Sequence, residues 1–117
     1  MATPVLIDTD MGIDDAVAIA LGLCAEQVSV VGIASVAGNV SLEQATCNAG
    51  RLLAALGTRV PLAKGLSQPD VDLKDASHVF GPDGLGNLDL SVPADFEPGG
   101  YLDLYEEVIN THGESLT

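Results

Sequence analysis

Along its first half the chain alternates between short apolar runs and longer stretches in which apolar residues recur every three or four positions. The runs at residues 5–9, 28–36 and 60–63 predict strands, and the nearly all-apolar second run is typical of a central strand covered on both faces. The stretches at 14–25 and 42–56 predict helices. Strand, helix, strand, helix, strand is the order of an open, mostly parallel α/β sheet.

The two predicted helices differ in how they begin and in how apolar they are. The first is rich in alanine and has Val17, Leu21 and Cys24 on one face. Further apolar residues fill much of the rest, so the helix is predicted to be largely buried: Ala16, Ala18, Ile19 and Ala20. The second is preceded by Ser41 with Gln44 three residues later, which predicts a capping box, and Gly57 is placed to end it.

The second half of the chain has a different pattern. Residues 65–100 hold most of the prolines and many glycines without a sustained period, which predicts a long loop flanking the active site. The helical period returns at 101–111, and Gly113 is placed to end that helix. The predicted fold is therefore α/β, an open, mostly parallel, doubly wound (Rossmann-like) sheet that is truncated after the third helix.

Composition narrows the classes of partner. With 17 acidic against 4 basic side chains and a formal net charge of -13, the chain should repel nucleic acid and anionic membranes. Cys24 and Cys47 show no C-x-x-C spacing, so both are expected to be reduced. The sequence contains neither an apolar run long enough to span a membrane nor a basic amino-terminal start, so we expect a cytoplasmic protein.

Four carboxylates stand within eight residues where the first strand meets the first helix: Asp8, Asp10, Asp14 and Asp15. Two unit charges about 4 Å apart repel by about 4 kcal/mol at an effective dielectric constant near 20. The helix amino terminus offers only about half a positive charge. A single aspartate here would be explained by helix capping, but four together predict a hard divalent cation, either Ca²⁺ or Mg²⁺.

An EF-hand loop is a superficially similar arrangement of acids. Such a loop needs glycine at its sixth position and glutamate at its twelfth. Counted from Asp8, those positions hold Ile13 and Ile19, so the segment is not an EF-hand.

The segment at residues 8–16 reads DTDMGIDDA and resembles the D-x-D-x-G-x-D-D-A signature of the inosine-uridine nucleoside hydrolase family. Gly38-Asn39 after the second strand and GPDGLG at residues 81–86 follow at the order and spacing that the family shows. Members of the family are much longer. The resemblance therefore implies that residues 1–117 are the N-terminal part of a single nucleoside hydrolase domain.

The resemblance also implies a reaction and a set of roles. The reaction is hydrolysis of the N-glycosidic bond of purine or pyrimidine ribonucleosides to free base and ribose, with Ca²⁺ holding the attacking water, in nucleoside salvage. Asp10 would bind Ca²⁺ and act as general base, and Asp15 would be a second metal ligand. Asp14 and Asn39 would bind ribose hydroxyls, and Asp8 would orient the loop without touching the ion. A homo-oligomer, either a dimer or a tetramer, is expected for the full-length protein.

One position departs from the family pattern. Family members have a histidine near the leaving base where this chain has Phe80, whereas His78 is retained two residues earlier. Phe80 has two interpretations, a loop residue anchored on the core or a stacking partner for the base.

The sequence also allows two alternatives to this function. The first is a haloacid-dehalogenase-like, Mg²⁺-dependent phosphatase, in which Asp8 would be the nucleophile and Asp10 the acid-base. That family has Thr or Val four residues after the first Asp, where this chain has Gly12. The second is an inactive fragment that carries only half a site.

Overall fold

The computed structural model of the protein describes residues 2–38, 40–66 and 98–117. They form a parallel sheet with strand order β1-β2-β3-β4. The elements are β1 Thr3–Thr9, α1 Ile13–Cys24, β2 Val28–Ser35, α2 Leu42–Ala55, β3 Leu62–Lys64, β4 Gly99–Gly100, α3 Tyr101–His112 and a 3-10 turn at Gly113–Ser115. The predicted α/β class, the three helices and the first three strands are confirmed. The two-glycine strand β4 was not predicted, because glycines give no apolar signal.

Helices cover both faces of the sheet because successive residues of each strand point to opposite sides. Ile7 packs on the side of α1 and α2, whereas Leu6 packs with α3. On the α3 side a β-carbon at Gly32 would lie 3.0 Å from side-chain atoms of both Leu6 and Leu104. The absence of a side chain at Gly32 therefore lets α3 press against the sheet, and the resulting three-layer arrangement is that of a doubly wound domain.

The larger core lies between the sheet and the α1 and α2 layer. It is built from residues of the β1–α1 loop, α1, β2, the β2–α2 loop and α2: Met11, Ile19, Ile33, Val40, Ala45, Ala49 and Leu53. The prediction that α1 is largely buried is wrong for the described part of the chain. Only Ile19 of α1 is buried, and the side chains of Val17 and Leu21 are 55% and 66% exposed. A helix lying on a sheet buries one stripe, and apolar content alone does not report whether anything covers its outer face.

The start of α2 and the ends of α2 and α3 lie where the sequence predicts them, but the cap of α2 differs in one hydrogen bond. Ser41 caps α2 by accepting a hydrogen bond from the Gln44 backbone at 3.2 Å. The Gln44 side chain donates instead to Asn48 Oδ1 at 2.9 Å, so only half of the predicted capping box forms. Gly57 and Gly113 both have positive φ, 66° and 56°, and end α2 and α3 as predicted.

The edge of β1 opposite β2 also has a backbone partner. Thr117 donates to the Pro4 carbonyl at 2.9 Å and accepts from the Leu6 amide at 2.8 Å, which is the bonding pattern of a parallel ladder. The Thr3 amide and the Thr9 carbonyl bond on the β2 side, so Pro4 and Leu6 face the other way. The amino-terminal half of β1 therefore has backbone partners on both sides.

Two further predictions can be compared with the described residues. Cys24 and Cys47 are both free thiols, as predicted. None of the described helices has the length and apolar character needed to cross a bilayer.

Candidate functional site

The carboxyl ends of the first three strands lie in one row. Thr9 is paired with Ser35, and Ser35 is paired with Lys64, so the loops that leave β1, β2 and β3 start side by side. The Gly65 amide donates to the Ser35 carbonyl at 2.9 Å, and a β-carbon at Gly65 would overlap that carbonyl oxygen. Parallel α/β sheets bind ligands at this edge, so the acidic segment is where such a sheet places a site.

The turn that carries the acids is held by its own backbone. Met11 has φ 52°, is fully buried, and donates its amide to Thr9 Oγ1 at 3.0 Å. A non-glycine residue in this left-handed region costs about 1–2 kcal/mol, which the burial and the hydrogen bond offset. The Gly12 amide donates to Asp15 Oδ2 at 3.0 Å. The turn therefore fixes Asp15 at the positive end of α1.

Asp10 packs directly on the backbone of the next loop. A β-carbon at Gly38 would lie 2.7 Å from Asp10 Cβ and 3.0 Å from Asp10 Cγ, and it would overlap Oδ2. Gly38 is itself held by donation of its amide to the Val40 carbonyl at 3.0 Å. Contact with the Asp10 side chain thus favours glycine at position 38, which explains the glycine of the Gly38-Asn39 pair noted in the sequence.

Asp10 and Asp15 form a pair of neighbouring carboxyl groups. Their side chains are hydrogen bonded, and the pKa of Asp15 is raised, first by burial, then by that bond and by the charges of Asp10 and Asp14. The Gly12 amide opposes the rise. Two neighbouring, half-buried carboxyl groups offer a hard oxygen site for a cation.

The structure brings together only some of the four predicted carboxylates. Asp14 lies in the exposed first turn of α1, close enough to add its charge to that of Asp15. The Asp8 carboxylate turns to the α3 side of the sheet. Within the described ranges no three His, Cys, Asp or Glu side chains converge as a ready metal cage. The described residues thus hold Asp10 and Asp15 as a pair, with Asp14 beside them and Asp8 directed to α3.

Sequence reasoning missed the partner of Asp8. Tyr105 of α3 donates its hydroxyl to Asp8 Oδ2 at 3.0 Å. The two residues line a cavity of about 360 Å³ together with Ala34, Val36, Ala37, Gly65, Leu66 and Tyr101. Tyr105 falls on the helical period of residues 101–111, and no local signal in the sequence links it to Asp8.

A buried polar network under the site was also missed. Ser35 Oγ and Thr46 Oγ1 are 2.6 Å apart, and Thr46 donates to the Leu42 carbonyl at 2.7 Å. Asn48, one turn of α2 after Gln44, is fully buried. These contacts tie the amino-terminal half of α2 to the end of β2, and hence brace the loop that holds Gly38 against Asp10.

Several predicted positions lie outside the described residues. These are Asn39, Phe80, His78 and the GPDGLG motif at 81–86. The predicted ribose contact of Asn39 therefore stays a prediction, as does either role of Phe80.

Comparison with known proteins matches residues 5–117 to the family described as inosine-uridine preferring nucleoside hydrolase. Non-specific ribonucleoside hydrolases RihC from Klebsiella pneumoniae and Escherichia coli are 47% and 43% identical over 91 residues. Those matches cover 77% of this chain, which spans about 30% of the length of these curated relatives.

Solved structures show the same relation. A plant nucleoside hydrolase, the PpNRh1 enzyme, superposes with a TM-score of 0.88 at 31% identity, over 99% of this chain and 38% of that one. A purine-preferring ribonucleoside hydrolase from Gardnerella vaginalis gives 0.85 at 28% identity, over 97% of this chain and 38% of that one.

Proposed function

Because the chain belongs to the inosine-uridine preferring nucleoside hydrolase family, we propose that it carries the ribose-side part of an active site that cleaves ribonucleosides to free base and ribose. The family is one of glycosidic hydrolases. The observation that carries the proposal is the hydrogen-bonded pair of Asp10 and Asp15 at the carboxyl edge of the sheet, with Asp10 packed on Gly38. The phosphatase alternative is not supported, since the match covers residues 5–117 with nucleoside hydrolases.

The acidic pair fits a calcium ion in its donor chemistry. Ca²⁺ takes about 6–8 oxygen ligands, so Asp10 and Asp15 would supply part of its shell. The remaining ligands would be water, substrate hydroxyls and groups beyond the described residues. When bound, the cation would lower the pKa of a water molecule and hold it beside the ribose hydroxyls.

Each acid of the segment has a distinct task in this proposal. Asp10 is the general base: it takes a proton from the attacking water, and its packing on Gly38 restricts where its carboxylate lies. Asp15 is anchored to the Gly12 amide and so presents one face to the cation. Asp14, exposed in the first turn of α1, binds a ribose hydroxyl. Asn39 is proposed as a second ribose contact.

The charge of the segment also favours the reaction. Cleavage of a glycosidic bond passes through an oxocarbenium-like transition state, in which positive charge develops on the sugar. Carboxylates that are already placed around the ribose stabilise this charge without reorganising. The same acids would repel a phosphate ester, which is a further reason to prefer a neutral nucleoside as substrate.

The substrate class follows from relatives named non-specific ribonucleoside hydrolase and purine-preferring ribonucleoside hydrolase. We propose purine and pyrimidine ribonucleosides as substrates, nucleoside salvage in the cytoplasm as the setting, and a homo-oligomeric full-length enzyme.

The test is ribose release from inosine and uridine by full-length protein stripped of metal and then supplied with Ca²⁺. Activity that returns with Ca²⁺ is expected, and p-nitrophenyl phosphate should remain intact. Phosphate release without ribose release would overturn the proposal.

A further inference from the structure

A hydrogen bond between residues 97 positions apart joins α3 to the end of β1. Tyr105 Oη donates to Asp8 Oδ2 at 3.0 Å. Asp8 lies two residues before Asp10, on the strand from which the acidic turn departs. The proposed reaction uses Asp10, Asp14 and Asp15 and leaves Tyr105 without a role.

The bond separates Asp8 from the acidic pair. Asp10 lies against Gly38 and is hydrogen bonded to Asp15, whereas the Asp8 carboxylate is directed to α3. Asp8 is an exposed residue, so its side chain would otherwise be free to rotate among several rotamers. The hydrogen bond from the Tyr105 hydroxyl favours one Asp8 rotamer and gives Asp8 Oδ2 a donor.

The ring of Tyr105 is itself held in place. Tyr101 packs against it edge to face, with ring centroids 5.9 Å apart and an interplanar angle of 80°. Leu104, the preceding residue, and Val108, about one turn later, anchor α3 to the sheet. Partial burial, followed by the bond to Asp8, raises the pKa of Tyr105, so its hydroxyl remains a donor at neutral and mildly alkaline pH.

We propose that Tyr105 is a positioning residue for the cation site: through Asp8 it fixes the end of β1 and with it the direction in which Asp10 leaves the strand. The inference rests on the proposed function, because it presumes that Asp10 binds Ca²⁺. Removing a direct hydrogen-bond partner of a metal ligand commonly changes metal affinity about 10–100-fold. Tyr105 acts one step further out, through Asp8 and the backbone of residues 8–10, so the lower end of that range is expected. The expected effect is therefore on Ca²⁺ binding rather than on folding alone.

A double-mutant cycle on the full-length protein tests the inference, with the Ca²⁺ dissociation constant measured by calorimetry. Tyr105→Phe and Asp8→Ala should each raise the constant about tenfold. The double variant should bind Ca²⁺ no more weakly than the weaker-binding single variant, because both substitutions remove the same hydrogen bond. Tyr101→Phe keeps its ring and removes a hydroxyl from the same helix, so its constant should stay within about twofold of the unmodified protein.

Asp8→Asn separates the hydrogen bond from the charge. The amide oxygen can still accept from Tyr105, so this variant should bind Ca²⁺ more tightly than Asp8→Ala, and it offers a second measurement if Asp8→Ala folds poorly. Normal Ca²⁺ binding by Tyr105→Phe, additive losses in the double variant, or equal losses in both Asp8 variants would each overturn the positioning role. Failure of the unmodified protein to bind Ca²⁺ would overturn the proposed function and the positioning role together.

Discussion

Replacing Gly38 by alanine should damage the site through a single added methyl group. Its carbon would lie 2.7 Å from Asp10 Cβ and 3.0 Å from Cγ, and it would overlap Oδ2. Carbon atoms pack at about 3.5–4.0 Å, so Asp10 or the loop must move by about 1 Å. Gly38 has no positive φ, so backbone strain adds nothing to this effect.

Two magnitudes follow from that displacement. Overpacking of this kind costs about 1–3 kcal/mol of stability. A shift of about 1 Å in a catalytic group costs about 100-fold in rate, which corresponds to about 2.7 kcal/mol of transition-state stabilisation. We therefore expect kcat/KM for inosine to fall about 100-fold in the full-length Gly38→Ala enzyme, accompanied by weaker Ca²⁺ binding.

The matched control is Gly22→Ala in α1. A β-carbon there would meet Val30 Cγ2 at 3.5 Å, which is ordinary contact, and alanine is favoured over glycine within a helix by about 0.5–1 kcal/mol. Gly22→Ala should keep its activity and be at least as stable as the unmodified protein. Ribose release measures the activity, calorimetry measures the affinity for Ca²⁺, and thermal unfolding measures the stability. Gly38→Ala activity within about threefold of the unmodified enzyme would refute the steric argument.

Three further predictions follow. Asp14→Ala in the full-length enzyme should raise KM for inosine as well as lower kcat, because a ribose contact is lost in both ground and transition states; steady-state kinetics showing an unchanged KM would contradict this role. Tyr105 has a raised pKa in the folded state, so the stability it contributes is fully present below the unfolded tyrosine value near 10 and is lost as pH rises through the folded value. The difference between the absorbance titrations near 295 nm of Tyr101→Phe and of the Tyr101→Phe, Tyr105→Phe double variant isolates Tyr105. It should show ionisation at higher pH in the folded than in the unfolded protein, and no delay would refute the shift. Residues 1–117 produced alone should release negligible ribose from inosine, because the metal shell and the leaving-group side are incomplete; substantial turnover would mean that the catalytic set is wrongly assigned.

Local signals were sufficient to predict most of the fold. The apolar run of β2, the Ser41 cap and the glycines at 57 and 113 act through nearest neighbours, and the structure confirms each of them. The outer face of α1 was predicted wrongly, because exposure of Val17 and Leu21 depends on what packs over the helix. Periodicity reports how apolar a face is and not whether it has a partner.

The candidate site was predictable to the extent that it is contiguous in sequence. Residues 8–15 could be identified from the sequence because four acidic side chains within eight residues repel one another strongly. Which of these acids pair with each other and which turn away was not predictable from the sequence. Their directions depend on Tyr105, 97 positions away from Asp8, and on contact between Asp10 and Gly38. Both are tertiary contacts between elements that no local pattern connects.

Turnover of inosine by the full-length Asp10→Asn enzyme at saturating Ca²⁺ decides whether Asp10 is the base of a metal-dependent nucleoside hydrolase. Asparagine keeps the size of the side chain and one oxygen able to bind metal, but it cannot take a proton from water. The predicted result is a fall in kcat of about 100-fold to 10,000-fold with little change in nucleoside binding. A near-normal kcat in Asp10→Asn would contradict the assignment.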